Sequence, residues 1–420
     1  MSRDPLSLYL HIPFCSLKCA YCDFNSYAGL EALVRPYDNA LIAEMRLWSP
    51  AAKGRPVPTV FFGGGTPSLL PIEELERIMS ALRESFELEA GAEVTLEANP
   101  GTVDLAYLRS LLALGVNRLS LGVQSFHDDE LAALDRIHSA AEAKEAYRWA
   151  REAGFERVNL DLIYGLPESF DSPSAALRPA QDERMERWQA TLEQAIELAP
   201  EHLSLYALTV EEGTKLAYDV DHGRVPGPDP DAQAEMYEWS QERLARAGYR
   251  QYEISNWCRA GEECRHNLVY WRNGDWLGLG AGAHSHLRGN QEPGARNEAY
   301  RFANVYSPKQ YVERLKGYAP GTDGHDLRSL IGAMPQVTFV EEQPPALAMA
   351  DTLILGLRLN VGVSADAFRE RFGQEIDELY GGTLDEMCGL GLLERENGRV
   401  RLTDRGRLLA NEVFVRLLPP

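Results

Sequence analysis

The chain has 420 residues with 45% hydrophobic content, enough for a sizeable core and two or three domains. Lys and Arg together number 42 against 63 Asp and Glu, a net charge of −21, which argues against a polyanion such as nucleic acid or an acidic lipid surface as partner. No apolar run approaches the ~18 residues of a membrane span and no leader is read before the first strand. The six cysteines fit a reducing cytoplasm better than a disulfide scaffold.

In chain order, the first apolar strand candidate (7–13) runs directly into HIPFCSLKCAYCDF, with Cys15, Cys19 and Cys22 spaced C-x3-C-x2-C. Three thiolates on one tight loop can each hold one iron of a cubane and leave the fourth iron open to a ligand. A structural zinc site prefers four protein ligands, and the only nearby histidine, His11, lies on the strand. Further strands are expected at 59–63, 93–98, 117–123, 157–163 and 203–208. Helices are expected near 33–48, 71–87, 104–114, 139–153, 186–198 and 231–247, where apolar residues recur at helical spacing, as in Leu75, Ile78, Met79 and Leu82. Six βα units predict a parallel sheet with right-handed crossovers, curled into a partial (β/α)6 barrel with its chemistry at the carboxyl ends of the strands.

Polar groups recur at those ends. Phe61-Phe62-Gly63-Gly64-Gly65-Thr66-Pro67 closes the second strand, where glycine lets backbone approach a ligand. Glu97, Gln124 and Asp161 close later strands, and Arg136 follows Gln124. Singly each is an ordinary cap; together they suit a ribose and an amino-acid moiety, with Arg136 as a fork for a carboxylate. Two loops break the pattern: 168–184, rich in Ser, Pro and Ala, reads as a surface insertion, and 221–231 as a turn-rich connection. Beyond about 255 the sequence becomes aromatic and glycine-rich. From about 347 it reads as two helices, a hairpin (Leu392–Leu393 and Val400–Leu402) and a helix, a winged-helix shape better suited to packing or docking than to DNA in so acidic a chain. The expected domains are 1–250 for the barrel, 251–340 for a connecting segment and 341–420 for the tail, an α+β C-terminal region. Cys388 reads as a small buried apolar residue.

As an ordered set, YLHIPFC, CxxxCxxC, FFGGGTPS, LEANP, GVQSF and DLIYGLP resemble the radical S-adenosylmethionine (SAM) proteins related to oxygen-independent coproporphyrinogen III oxidase. The resemblance implies a [4Fe–4S] cluster on Cys15, Cys19 and Cys22. It also implies a SAM site lined by Tyr9, Gly64, Gly65, Thr66, Glu97, Gln124, Arg136, Asp161 and Ala207. The decarboxylating oxidase continues its motif with a fourth cysteine and carries an extension ahead of the first strand; here Phe24 holds the fourth position and no such extension is read. His266-Asn267-Leu268-Val269-Tyr270-Trp271 instead resembles the HNxxYW signature of the HemW-like haem chaperones, from which the 168–184 insertion and Cys258 depart. That branch implies haem as cargo, passed to acceptors such as respiratory-chain haemoproteins, and an electron donor if the cluster is reduced. A haem site needs an axial donor and flat apolar walls. His266, with Cys264 as second choice, is the candidate donor, with Asn267, Tyr270 and Trp271 beside it and Trp276 as further aromatic surface; the competing reading of these residues is plain packing. The alternative function is radical oxidation of coproporphyrinogen propionates, and a radical enzyme acting on tRNA is disfavoured by the charge.

Overall fold

The computed structural model describes residues 4–166, 181–289, 298–317 and 326–419. Its core is six parallel strands lying side by side in chain order. They are β1 (Ser7–Ile12), β2 (Pro56–Gly64), β3 (Glu87–Ala98), β4 (Arg118–Gln124), β5 (Val158–Tyr164) and β6 (His202–Ala207). Helices Val34–Ala52, Ile72–Ser85, Leu105–Leu114, Ala140–Ala153 and Gln181–Leu198 alternate with them, and Pro230–Arg246 follows β6. The periodicity therefore placed every one of these elements, with ends off by a few residues. Most of the 168–184 stretch lies outside the described residues.

Alternation decides which way the sheet curls. In β1, Leu8, Leu10 and Ile12 are fully buried in the main apolar core, whereas Tyr9 between them faces a polar chamber. Side chains from all six strands line that same chamber, so the sheet closes around a polar interior while its apolar face carries the helices. Local signals set the helix ends. Ser139 and Glu142 form a reciprocal capping box at the start of Ala140–Ala153, and Gly154 ends that helix in the left-handed conformation at φ +110°.

Residues beyond 250 join the same sheet at both of its ends. Asn256–Cys258 pairs antiparallel with β6, and Arg250–Glu253 pairs with it in turn. On the other side Trp276–Leu279 lies parallel to β1, followed by the antiparallel run His284–Arg288, Ala299–Asn304 and Val337–Gln343. The segment between them, helix Arg265–Trp271, thus lies between strands at opposite ends of the sheet.

The C-terminal region has its own apolar core, including Leu353, Phe368, Leu384, Met387, Val400 and Val413. Helices Pro345–Leu357, Ala365–Phe372 and Ile376–Gly389 precede the hairpin Leu393–Glu396 and Arg399–Leu402, with Val363–Ser364 as third strand. Asn397 and Gly398 both take positive φ at its turn, the geometry that matches strand twist in a two-residue hairpin. The last helix is two, Asp404–Leu408 and Ala410–Leu417, broken where Leu409 leaves helical geometry at φ −114° and ψ 28°. Cys388 is half-buried at the margin of this core rather than enclosed in it.

A buried ion cluster ties the foot of β1 to the later strands. The wholly buried Asp275 carboxylate takes Arg55 Nη2 at 2.5 Å and Arg288 Nε at 2.6 Å, and its carbonyl accepts from Ser7 N at 3.1 Å. Removing one partner of such a pair leaves the other charge uncompensated. Asp275→Ala is therefore expected to lower unfolding free energy by about 3–5 kcal/mol, read by denaturant titration; a loss below about 1 kcal/mol would mean water reaches Arg55.

Candidate active site

At the carboxyl ends of the strands lies a cleft of about 440 Å3, lined by Cys15, Cys19 and Cys22 together with residues from the glycine loop and the later strand ends. All six cysteines are free thiols, and the three on the loop are half-buried. Among the described residues no three His, Cys, Asp or Glu side chains converge on a single ion. The three thiols instead face one cleft from one loop, the arrangement for one thiolate per iron of a cluster.

The loop is held from behind. His11 Nε2 bonds the Asn25 carbonyl at 2.8 Å, so Nε2 carries the proton and Nδ1 accepts from Tyr9 Oη at 3.0 Å. Gly65 N and Thr66 N donate to Ile12 O and Phe14 O, both at 2.8 Å, laying the glycine loop on the cysteine loop. Glycine is required there. Gly64 has φ +114°, and a Cβ on it would fall 2.6 Å from the His11 ring, while one on Gly65 would fall 2.6 Å from Phe14 O and 3.1 Å from Cys15 Sγ. Thr66 Oγ1 reaches Cys15 Sγ at 3.5 Å and Arg136 Nη1 reaches Cys19 Sγ at 3.3 Å.

Of the residues singled out in the sequence, Gly64, Gly65, Thr66, Glu97, Gln124, Arg136, Asp161 and Ala207 all line this cleft. Gln124 sits at φ +71°, beside a bulge in the β4–β5 pairing, an unusual conformation for a non-glycine residue at a strand end. Arg136 Nη2 donates to Gly122 O at 2.6 Å, and its Nε is buried with no partner among the described residues. An orphaned guanidinium donor beside the thiols fits a site built for an anionic ligand group. Glu97 accepts from Gly64 N at 3.2 Å; burial and then the neighbouring Asp161 push its carboxyl up to about 8. Asp161 is also raised by burial, opposed by bonds from Asn159 Nδ2 at 2.8 Å and Ser120 Oγ at 3.0 Å. The donor set therefore fits S-adenosylmethionine: carboxylates for hydroxyl and ammonium donors, a guanidinium for the carboxylate, and backbone exposed by glycine.

Tyr9 lines not the cleft but a second chamber of about 220 Å3 behind it, inside the barrel. Glu97, Ser120, Asp161 and Tyr206 line both spaces. His266, Asn267 and Tyr270 form part of the chamber's wall. Helix Arg265–Trp271 is seated there by Glu93, whose carboxylate accepts from Arg265 N at 3.2 Å and His266 N at 3.0 Å. His266 is 1% exposed and stacks on Phe61 at 5.2 Å. Thr59 Oγ1 donates to Ser7, so it accepts from His266 Nδ1 at 2.8 Å, and His266 Nε2 accepts from Tyr270 Oη at 2.8 Å. Burial, then Arg118, lowers the imidazole to about 3, so it is neutral. Cys264 is fully enclosed and burial raises its thiol to about 12. On the helix's other side Arg358 covers the Trp271 ring at 4.3 Å, and Arg371 donates to Arg272 O and Asn273 O at 3.2 and 3.0 Å.

Comparison with known proteins bears on this geometry. Residues 9–178 match the Radical SAM superfamily, and 344–409 match the HemN C-terminal domain. The fold is shared with a coproporphyrinogen III oxidase (HemN) from Escherichia coli, at TM-score 0.77 and 24% identity over 98% of this chain and 90% of that one. The heme chaperone HemW of Bacillus subtilis is 36% identical over 97% of this chain and 98% of its own length. The chain belongs to the HemW family. Its relation to HemW of Mycobacterium tuberculosis, 38% over the whole chain, and of Escherichia coli, 44% over 67% of it, is of the same kind.

Sequence reasoning missed Arg118, Ser120, Tyr206 and Tyr21, which line the two spaces or abut the thiols. Arg118 and Ser120 lie two apart on β4, and Ser204 and Tyr206 two apart on β6; that period-2 polar spacing inside apolar strands was the available signal.

Two outcomes follow from this geometry. Gly64→Ala should prevent the cysteine loop from seating, with loss of the visible absorbance of a reconstituted cluster while far-ultraviolet circular dichroism stays unchanged. For Glu97 the folded-state carboxyl lies above its ordinary 4.5, so its contribution to stability is complete at low pH and is lost as pH rises toward about 8. Melting temperature of the wild type relative to Glu97→Gln should fall across that window, and a flat difference would place water at the carboxyl.

Proposed function

We propose that this chain binds haem and passes it to acceptor haemoproteins, those of the respiratory chain included, in the cytoplasm, and that it carries a [4Fe–4S] cluster and S-adenosylmethionine. The observation that carries the reading is the end-to-end match to heme chaperones in a chain whose three loop thiols share one cleft with the glycine loop, Glu97, Arg136 and Asp161. Cys15, Cys19 and Cys22 would hold the cluster. When bound, cluster and SAM together supply one-electron chemistry, drawing on an electron donor. The residues of this chain do the positioning: Arg136 for the carboxylate of SAM, Asp161 and Glu97 for its hydroxyl and ammonium groups, and Gly64, Gly65 and Thr66 for close backbone approach.

Phe24, 60% exposed at the rim of the cleft, stands where the decarboxylating oxidase has its fourth cysteine. An exposed phenyl offers a flat apolar surface and no metal ligand, which favours cargo binding over propionate oxidation.

Haem contact is proposed near helix Arg265–Trp271. Pockets that bury a drug-sized ligand run to about 300–1,000 Å3, so the chamber of about 220 Å3 does not enclose a porphyrin. Ligation by His266 requires Tyr270 to release Nε2 and the helix to draw away from the barrel. The neutral imidazole is the protonation state a haem iron needs. Cys264 would have to leave full burial and lose its proton, which makes it the weaker donor.

The test is an anaerobic haem titration of the cluster-reconstituted protein, followed by its Soret band, for the wild type and His266→Ala. A saturable stoichiometric band weakened in the variant is expected. Saturable binding unchanged by the substitution would move the ligand elsewhere, and no specific binding would overturn the chaperone reading. In parallel, Ser at Cys15, Cys19 or Cys22 should each abolish the cluster's absorbance; iron retained in all three variants would overturn the ligand assignment.

A further inference from the structure

Arg118, at the start of β4, is 3% exposed and lines the inner chamber, yet its guanidinium makes no hydrogen bond or ion pair with any described residue. A buried guanidinium has five donors to satisfy. At about 30 Å3 per water, a chamber of about 220 Å3 has room for several bridging molecules. Its carboxylate neighbours are committed elsewhere. Glu93 holds the amides of Arg265 and His266 and pairs with Arg157 at 3.3 Å, and Asp161 accepts from Asn159 and Ser120.

We infer that Arg118 is a positioning residue for the S-adenosylmethionine pocket, acting across the inner chamber to hold Asp161 in the ionised form that accepts hydrogen bonds from the cofactor. The inference rests on the cofactor reading above and deepens it. Asp161 is one of the few residues common to chamber and cleft, so charge placed in the chamber is felt at the cleft wall. The other titratable groups facing Asp161 are Glu97 from β3, Tyr206 from β6 and Tyr21 from the cysteine loop. Arg136 lines the cleft with Asp161 and is a second cation, but its guanidinium is engaged by Gly122 O and Cys19 Sγ; on the chamber side Arg118 is the cation that favours the carboxylate. Around Arg118 itself, Glu93, Cys264 and Tyr252 bear on its charge. His202 and His266 are both kept neutral, by burial and then by Arg118. One guanidinium thus supports an anionic Asp161 on the cofactor side and a neutral His266 on the helix side.

The experiment is equilibrium binding of SAM to the cluster-loaded protein from pH 5.5 to 8.5, for wild type, Arg118→Met, Arg118→Lys, Asp161→Asn and the Arg118→Met/Asp161→Asn double variant. Arg118→Met should weaken binding most at the acid end of the range, up to about tenfold for one pKa unit on a required ionisation once the pH lies below it, and by less toward pH 8.5. Its affinity should fall away at a higher pH than that of the wild type, because the carboxylate takes up its proton sooner. Arg118→Lys should recover most of the affinity, and Arg118→Met should add less than about twofold in the Asp161→Asn background. Cluster absorbance and melting temperature identify a variant that has simply failed to fold, in which case Arg118→Lys against wild type carries the comparison. An unchanged pH profile in Arg118→Met, or equal losses with and without Asp161, would overturn the inference. Absence of SAM binding by the wild type would overturn the cofactor reading and this inference with it.

Discussion

Charge closed inside the barrel has to be balanced inside the barrel, and much of this structure follows from that. Six parallel strands turn polar side chains inward, and helix Arg265–Trp271 walls the interior off. Glu97, Asp161 and Arg118 therefore meet in a space where an isolated ion costs several kcal/mol, with Glu93 buried nearby. Each is handled differently. Glu93 is held by backbone amides and by Arg157. Glu97 rises toward its protonated form. Asp161 collects side-chain donors.

The same constraint explains why the conspicuous helix motif is not a surface feature. His266 and Tyr270 are polar groups on the inner side of the helix, and burying them is tolerable because they bond each other and Thr59. The outer side is gripped by the C-terminal region through Arg358 and Arg371. The helix is therefore in contact with both the inner chamber and the tail. A molecule too large for the chamber can reach His266 only if this element moves, so access to that imidazole depends on the seating of the C-terminal region.

The cysteine loop shows a second use of buried polar groups. His11 sits between Tyr9 and the Asn25 carbonyl, with Gly64 beside its ring, so the strand, the cysteine loop and the glycine loop share one side chain. Tyr37 and Glu44, on helix Val34–Ala52, do the same for the turn at Gly280: Tyr37 Oη donates to His11 O at 2.7 Å and accepts from Ala281 N at 2.8 Å, and Glu44 accepts from Gly280 N at 2.8 Å. The thiols are thus placed by contacts that reach from residue 9 to residue 281.

Local physical chemistry wrote the fold into the sequence. Apolar spacing, glycine runs and cap residues act over a few positions, so the strands, the helices, the cysteine loop and the polar strand ends were legible without coordinates. The hairpin of the tail was legible for the same reason, because Asn397-Gly398 specifies its own turn. Direction of burial was not legible. Nothing local says that Tyr9 faces the chamber rather than the cleft, that Arg118 points into the barrel with no hydrogen-bond partner among the described residues, or that both ring nitrogens of His266 are occupied. Those facts depend on strands and partners far along the chain, such as Thr59, 207 residues from His266. By itself the sequence determined the elements and the chemistry carried at their ends. Only the tertiary structure decided which polar groups share a space, because the balance of buried charge is set among residues far apart in the chain.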